Sequence, residues 1–95
     1  VMAEMIRRVE RDVTIPNSQG LHARPVLRFV DLASKFASSI RVMKRDTSVD
    51  GKSPMEMMLL EGTQGTVLKI VAEGDDSQQA VEELAKLVGE GFGEE

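Results

Sequence analysis

Hydrophobic residues change their spacing several times along the chain, and each change predicts a new element. Apolar residues first alternate with polar ones, as in a strand that only Arg11 interrupts. After the turn sequence Pro16–Gly20 they recur every three or four residues, as on one face of a helix. The predicted elements are a strand over Val9–Ile15, a helix over Ala23–Phe36, strands over Ile40–Lys44 and Thr47–Asp50, a helix over Pro54–Leu60, a strand over Thr66–Glu73, and a last helix that Gly74–Ser77 caps and Gly89 ends.

The predicted order of elements is β-α-β-β-α-β-α. Because the strands alternate between apolar and polar residues, the sheet should have one solvated face and one face covered by helices. This pattern is typical of a two-layer α+β fold with a mostly antiparallel sheet. The length of 95 residues suits a single domain over residues 1–95, with a flexible lead-in over 1–8 and a flexible tail over 89–95.

Composition excludes several classes of function. The chain has no cysteine, which rules out disulfides, zinc–thiolate sites and thiol catalysis. The net charge is −4 and aromatic residues are scarce, so we expect no binding to nucleic acid. No apolar run reaches the length of a membrane span, and no signal peptide is visible. We expect a cytoplasmic protein without a metal site, a cofactor or a membrane segment.

His22 is the only histidine, and it stands where the first helix should begin. The N–H groups and the positive dipole end of a helix start favour an anion. Arg24 adds a positive charge with forked donors, and a neutral imidazole nitrogen is a nucleophile. These features suit attack on a phosphoryl group. A histidine that only packs or caps a turn, a metal ligand and a triad member remain alternatives.

The six residues Gly20–Pro25 read GLHARP, which resembles the active-site signature of the HPr family. These proteins are the histidine-containing phosphocarriers of the bacterial phosphoenolpyruvate-dependent phosphotransferase system. The similarity extends over about Val9–Val88 and includes Lys52-Ser53 and Gln64–Thr66. It implies an open-faced β-sandwich, in which a four-stranded antiparallel sheet carries three helices on one face.

The resemblance also implies roles for the residues of the motif. His22 would accept a phosphoryl group on Nδ1 from phosphorylated enzyme I and pass it to a histidine of an enzyme IIA domain. Arg24 would assist the transfer, and the N–H groups of Ala23 and Arg24 would bind the phosphate oxygens. Pro25 would pre-form the helical turn. Such a protein is a phosphocarrier rather than an enzyme.

Ser53 opens the sequence Ser-Pro-Met-Glu, which predicts a capping box with serine as the N-cap. The resemblance adds a second role, because many HPr proteins are phosphorylated here by an HPr kinase/phosphorylase. A phosphate at a helix N-terminus is compatible with the fold. Pro54 departs from the family, which usually has an aliphatic residue at this position.

Met55 and Met58 lie one turn apart on the predicted second helix, and we expect both to be exposed and Leu59 to point inward. Adaptable methionine suits a surface that docks several partners, and the resemblance implies that these are enzyme I and the enzyme IIA domains. Arg28 and Lys52 would add a positive rim to that surface. We expect a monomer, since a carrier presents one face to successive partners.

Three functions are compatible with this sequence. The first is a phosphocarrier of sugar uptake. The second is a carrier of the nitrogen-related regulatory branch (NPr-like), because Gly91–Glu95 resembles the ends of that group. The third is a non-catalytic regulatory binding protein that acts only through Ser53.

Overall fold

The computed structural model describes residues 7–93, which form a four-stranded antiparallel sheet with helices on one face. The predicted α+β architecture and the order of its elements are confirmed. Within residues 7–93 no helix is long and apolar enough to cross a membrane. The elements are β1 (Arg8–Thr14), α1 (Ala23–Ala33), β2 (Ser39–Lys44), β3 (Thr47–Asp50), α2 (Pro54–Leu59), β4 (Val67–Glu73), α3 (Ser77–Gly89) and a closing 3₁₀ turn (Gly91–Gly93).

The sheet has the strand order β1-β4-β2-β3, and each neighbouring pair is antiparallel. β4 lies inside the sheet, where Ile70 is paired with Arg11 of β1 on one side and Val42 of β2 on the other. β4 is the last strand in sequence but lies between β1 and β2, so its pairing joins the first strand to the β2–β3 pair in one sheet.

One hydrophobic cluster fills the space between the sheet and the helices. Alternate residues of the inner strands enter it, as the spacing predicts. Branched aliphatic residues dominate because the chain has only three phenylalanines and no other aromatic residue. The sheet contributes Ile40, Val42, Val49, Leu68, Ile70 and Ala72, and the helices contribute Val26, Phe29, Ala33, Met57, Val81 and Leu84.

The other face of the sheet is polar, in agreement with the predicted solvated face. Arg8 pairs with Glu10 at 2.7 Å and with Glu73 at 3.5 Å. Lys69 pairs with Glu10 at 3.5 Å. The guanidinium of Arg8 is the main reason that the pKa of Glu10 lies below its usual value.

α1 ends three residues earlier than the predicted boundary at Phe36. The N–H of Lys35 donates to the Leu32 carbonyl, and that of Phe36 donates to the Ala33 carbonyl. These bonds span three residues, so the chain tightens into a 3₁₀-type turn after the helix. Phe36 is still buried in the core, so the apolar spacing of the sequence extends three residues beyond the end of the helix.

The C-terminal segment packs against the fold at Gly91 and Phe92, which are both buried. Phe92 is fully buried in the core and has a φ of 58°. Its carbonyl accepts a hydrogen bond of 3.2 Å from Nη1 of Arg28. At the other end, β1 begins at Arg8. Residues 1–6 and 94–95 lie outside the described residues.

Asp76 ties the end of α1 to the start of α3. Its carboxylate accepts hydrogen bonds from the N–H groups of Ala37 and Ser38, at 2.8 and 2.9 Å, and from the Ser38 hydroxyl. Asp76 occupies the N-cap position of α3, but its side chain makes no capping bond there. The three donors, the Ser38 hydroxyl first, lower the pKa of Asp76.

This pKa shift predicts a loss of stability in acid. Since the folded state favours the ionised carboxylate, the stabilisation is complete above the unfolded pKa of about 4 and is lost as the pH falls through the folded value. Asp76→Asn should therefore reduce the free energy of unfolding at pH 7 and flatten its fall in acid, as measured by urea unfolding between pH 3 and 7. Asp75→Asn, at the exposed neighbouring carboxylate, is the control. Parallel acid profiles for wild type and Asp76→Asn would contradict this assignment.

Candidate functional site

His22 is the N-cap residue of α1, as the sequence predicts. Its backbone is extended, with φ −106° and ψ −173°, and its carbonyl accepts the first helical hydrogen bond from Val26 at 3.0 Å. Serine, threonine, aspartate and asparagine are the preferred N-caps, because their side chains accept a helix N–H. The half-buried imidazole makes no such capping bond. Its place at the helix start is therefore not explained by capping.

The first turn of α1 opens with exposed residues and has no negative charge. Ala23 and Arg24 are exposed, and the first turn contains no acidic residue. The N–H groups of a helix start point out of its N-terminal end, where the dipole is positive. Pro25 follows as the third helical residue and has no N–H of its own. His22 therefore lies beside the positive end of α1, and Arg24 adds a full charge in the same turn.

The loop before His22 is held by main-chain hydrogen bonds. The Leu21 N–H donates to the Gly62 carbonyl at 2.7 Å, and the Gly20 N–H donates to the Asn17 carbonyl at 3.1 Å. Gly20 has a φ of 67°, the left-handed region that favours glycine. Sequence reasoning recognised the turn but missed Gly62, which lies 42 residues after Gly20 and carries no local signal for this contact.

α1 and α2 enclose a shallow groove of about 230 Å³ next to His22. Met55 and Met58 are 82% and 43% exposed, which confirms their predicted exposure. Leu59 is 71% exposed, so the prediction that it points inward is wrong. Met57 is the buried residue of this short helix, and Leu60, three residues further on and directly after the helix, is also buried. The groove is lined by Ala23, Val26, Leu27, Pro54, Met55 and Met58.

The two cations of the predicted basic rim, Arg28 and Lys52, are each bonded to a main-chain carbonyl. Nζ of Lys52 donates to the Phe36 carbonyl at 2.7 Å. Phe36 follows α1 and His22 precedes it, so a helix of 11 residues, about 16 Å long at 1.5 Å per residue, separates Lys52 from the histidine. Arg28 bonds the Phe92 carbonyl of the C-terminal turn. Both cations therefore have partners within the fold.

Ser53 caps α2, as predicted. Its Oγ accepts a hydrogen bond of 3.2 Å from the Glu56 N–H. The capping box is nevertheless incomplete, because Glu56 does not reach back to the Ser53 N–H. That N–H donates to the Asp50 carbonyl, and Oε1 of Glu56 accepts from the Asp50 N–H at 2.9 Å. The Glu56 carboxylate thus closes the turn before α2, and Ser53 remains half-buried at the helix start.

Residues 7–93 contain no group of three histidine, cysteine or carboxylate side chains placed to hold a metal ion. At His22 the structure brings together an imidazole, the start of a helix and, two residues later, Arg24. A nucleophilic nitrogen beside an anion-binding turn can take up and hold a phosphoryl group.

Residues 9–90 match the family model described as the PTS HPr component phosphorylation site. The chain is 46% identical over 78 residues to phosphocarrier protein HPr of Haemophilus influenzae, an alignment that covers 82% of this chain and 92% of that protein. It is 43% identical over 84 residues to the multiphosphoryl transfer protein of the same organism, across 85% of this chain and 17% of that protein. The crystal structure of HPr-C-His from Thermoanaerobacter tengcongensis is similar with a TM-score of 0.88 at 47% identity, over 92% of this chain and 98% of that chain.

The geometry of the loop predicts that Gly20→Ala is more damaging than Gly65→Ala. Both glycines have positive φ, 67° and 88°, so alanine costs about 1–2 kcal/mol at either position through its backbone conformation. A Cβ at Gly20 would also collide with the Gly62 carbonyl and lie 3.0 Å from the Thr63 Cα, whereas a Cβ at Gly65 meets nothing within 4 Å. Urea unfolding should therefore show the larger loss for Gly20→Ala. Equal losses would mean that the contact with Gly62 is not tight.

Proposed function

The chain belongs to the HPr family, the phosphocarriers of the phosphotransferase system, and we propose that His22 is the residue that carries its phosphoryl group. An imidazole nitrogen of His22 attacks the phosphorus of phosphorylated enzyme I, and the bond to enzyme I breaks as the N–P bond forms. In the second transfer a histidine of an enzyme IIA domain attacks, and His22 is the leaving group. The chain ends unchanged, as a carrier rather than an enzyme.

The observation that carries this proposal is the position of His22 as an N-cap whose side chain does not cap. The phosphoryl group would meet the N–H groups of Ala23 and Arg24 at the positive end of α1. The guanidinium of Arg24 supplies charge-assisted donors for the same oxygens. Because these donors are oriented before the reaction, they stabilise the charge on the transferring group without reorganisation.

The groove beside His22 is the surface that we propose for docking. It begins at Ala23, directly after the histidine, and is lined by apolar side chains. Met55 and Met58 give it a flexible rim that can adapt to both enzyme I and enzyme IIA domains. Arg28 and Lys52 have a smaller place in this proposal, because each already binds a main-chain carbonyl.

We favour the sugar branch as the destination of the phosphoryl group, since the H. influenzae relative is named phosphocarrier protein HPr. The nitrogen-related branch is the alternative and uses the same chemistry at His22. A regulator that acts only through Ser53 would have no use for a nucleophile at an anion-binding helix start.

The transfer itself is tested by intact mass after incubation with phosphoenolpyruvate, Mg²⁺ and enzyme I. We expect an acid-labile phosphoryl adduct on the wild-type chain and none on His22→Ala. Arg24→Ala should form the same adduct about ten- to a hundredfold more slowly, because one charged donor is lost from the transition state. Arg41→Ala, on the polar face of the sheet, is the matched control and should react at the wild-type rate.

Enzyme I of the sugar and nitrogen branches should be used in parallel, and the faster of the two identifies the branch. A folded wild-type chain that forms no adduct with either enzyme I would refute the proposal. An adduct that survives in His22→Ala would place the phosphoryl group on another residue.

We also propose Ser53 as a site of regulatory phosphorylation by an HPr kinase/phosphorylase. Its hydroxyl is at the start of α2, and the next residue, Pro54, lines the docking groove. A phosphoryl group would bring about −1.5 to −2 charges to the edge of that groove. A phosphoryl group at a helix N-terminus is compatible with the fold, so the modification should act mainly on docking.

Two substitutions separate the roles of Ser53. Ser53→Ala should lower the free energy of unfolding by about 0.5–2 kcal/mol through loss of the cap. Ser53→Asp should retain the cap and weaken binding to enzyme I, measured by calorimetry at low salt. Ser39→Asp, an exposed position on the polar sheet face, controls for the added charge. Equal affinity of Ser53→Asp and Ser39→Asp for enzyme I would leave Ser53 with its capping role alone.

A further inference from the structure

We propose that Asn17 is a positioning residue for His22, acting through the main-chain carbonyl of Gly20. This inference rests on the proposed function of His22 as the phosphoryl carrier. Asn17 is five residues before the histidine, in the turn that ends β1, and its role was not predicted from the sequence.

Asn17 closes its turn with two hydrogen bonds to the same residue. Its main-chain carbonyl accepts from the Gly20 N–H at 3.1 Å. Its side-chain Nδ2 donates to the Gly20 carbonyl at 2.8 Å. Asn17 is only 2% exposed, so water does not compete freely for these bonds. The N–H and the C=O of Gly20 are therefore both held by Asn17.

The Gly20 carbonyl is also the acceptor for the His22 N–H, at 3.2 Å. This one oxygen thus accepts hydrogen bonds from both Nδ2 of Asn17 and the main-chain N–H of His22. The Leu21 N–H belongs to the same peptide group as the Gly20 carbonyl, and it donates to the Gly62 carbonyl at 2.7 Å. The peptide between Gly20 and Leu21 is fixed from both sides, and this peptide sets the direction in which the chain enters α1.

The other polar atom of the Asn17 side chain, Oδ1, indicates that asparagine does not occupy this position for its contribution to stability. Its Oδ1 is buried and has no hydrogen-bond partner within residues 7–93. A buried acceptor without a partner is costly, and an apolar side chain of the same shape would avoid that cost. The amide group is therefore best explained by the direction that Nδ2 imposes on Gly20.

The C-terminal turn keeps Asn17 in place. A methyl group built on Gly91 would lie 3.7 Å from the Asn17 Cβ, so the two segments adjoin. Phe92, the next residue, is fully buried and holds this turn in the core. Because the side chain is packed between the C-terminal turn and its own loop, its Nδ2 is held towards Gly20. A small displacement of His22 relative to the helix start would be enough to slow the transfer.

The test compares Asn17→Leu with Ser38→Ala. Leucine keeps the branched shape and removes both the Nδ2 donor and the unpartnered oxygen. Ser38→Ala removes another buried side-chain hydrogen bond, the one to Asp76, which lies beyond the opposite end of α1. Asn17→Ala is the second variant in case leucine does not fit. Each chain is phosphorylated with phosphoenolpyruvate, Mg²⁺ and enzyme I, and its melting temperature is measured.

We expect Asn17→Leu to be phosphorylated about tenfold more slowly at saturating enzyme I, with little change in the enzyme I concentration at half-saturation. The half-life of its phosphohistidine in the absence of partners should also change. Ser38→Ala should lose about 4–8 °C in melting temperature and keep its transfer rate within about twofold. This contrast identifies a positioning role, since loss of stability alone would affect both chains in proportion.

Two outcomes overturn the inference. In the first, Asn17→Leu and Asn17→Ala transfer at the wild-type rate. In the second, their rates fall in the same proportion to the loss in melting temperature as the rate of Ser38→Ala does. A wild-type chain that takes no phosphoryl group would overturn the proposed function, and the role of Asn17 with it. The wild-type reaction thus distinguishes failure of the function from failure of this inference.

Discussion

The hydrogen bond of 2.7 Å from the Leu21 N–H to the Gly62 carbonyl is the contact on which the rest of the site depends. It joins the segment that enters α1 to the segment that leaves α2. Both residues are buried, so neither group could find a substitute partner in water. This bond therefore links the loop that carries His22 to the segment after α2, a helix whose residues line the groove. Two glycines allow this contact, because a side chain at Gly20 would strike Gly62, and one at Gly62 would lie 2.6 Å from Ile15.

Charge is distributed so that an acidic chain keeps the start of α1 clear of acidic residues. The net charge is −4, yet the first turn of α1 contains no carboxylate. Glu10 and Glu73 lie on the opposite face of the sheet, where Arg8 and Lys69 balance them. Asp76 is held by donors beyond the far end of α1. The helical side of the molecule thus combines a positive helix end with an apolar groove, which suits a phosphate and a protein partner at once.

Much of the fold could be predicted because its signals are local. Alternating and helical spacing predicted the type and order of all seven main elements, and the capping serine was evident in the sequence around Ser53. The errors arose where a local pattern extends beyond its element or has too few residues to define a face. Phe36 continues the helical spacing of α1, but it lies in the turn after the helix and is buried from there. Leu59 ends a six-residue helix in which only Met57 is buried, and the next residue, Leu60, is buried after the helix has ended.

The sequence by itself determined His22 as the candidate nucleophile, the helix that begins beside it and the resemblance that relates both to phosphoryl transfer. These follow from residues that are neighbours in the chain, where helix geometry and side-chain chemistry are sufficient. Only the tertiary structure decided which distant residues hold that site. Gly62 reaches Leu21 across 41 residues, Arg28 reaches Phe92 across 64, and Lys52 is engaged at the far end of α1 rather than beside His22. Such partners depend on how the elements pack in space, so they cannot be predicted from the spacing of residues within an element.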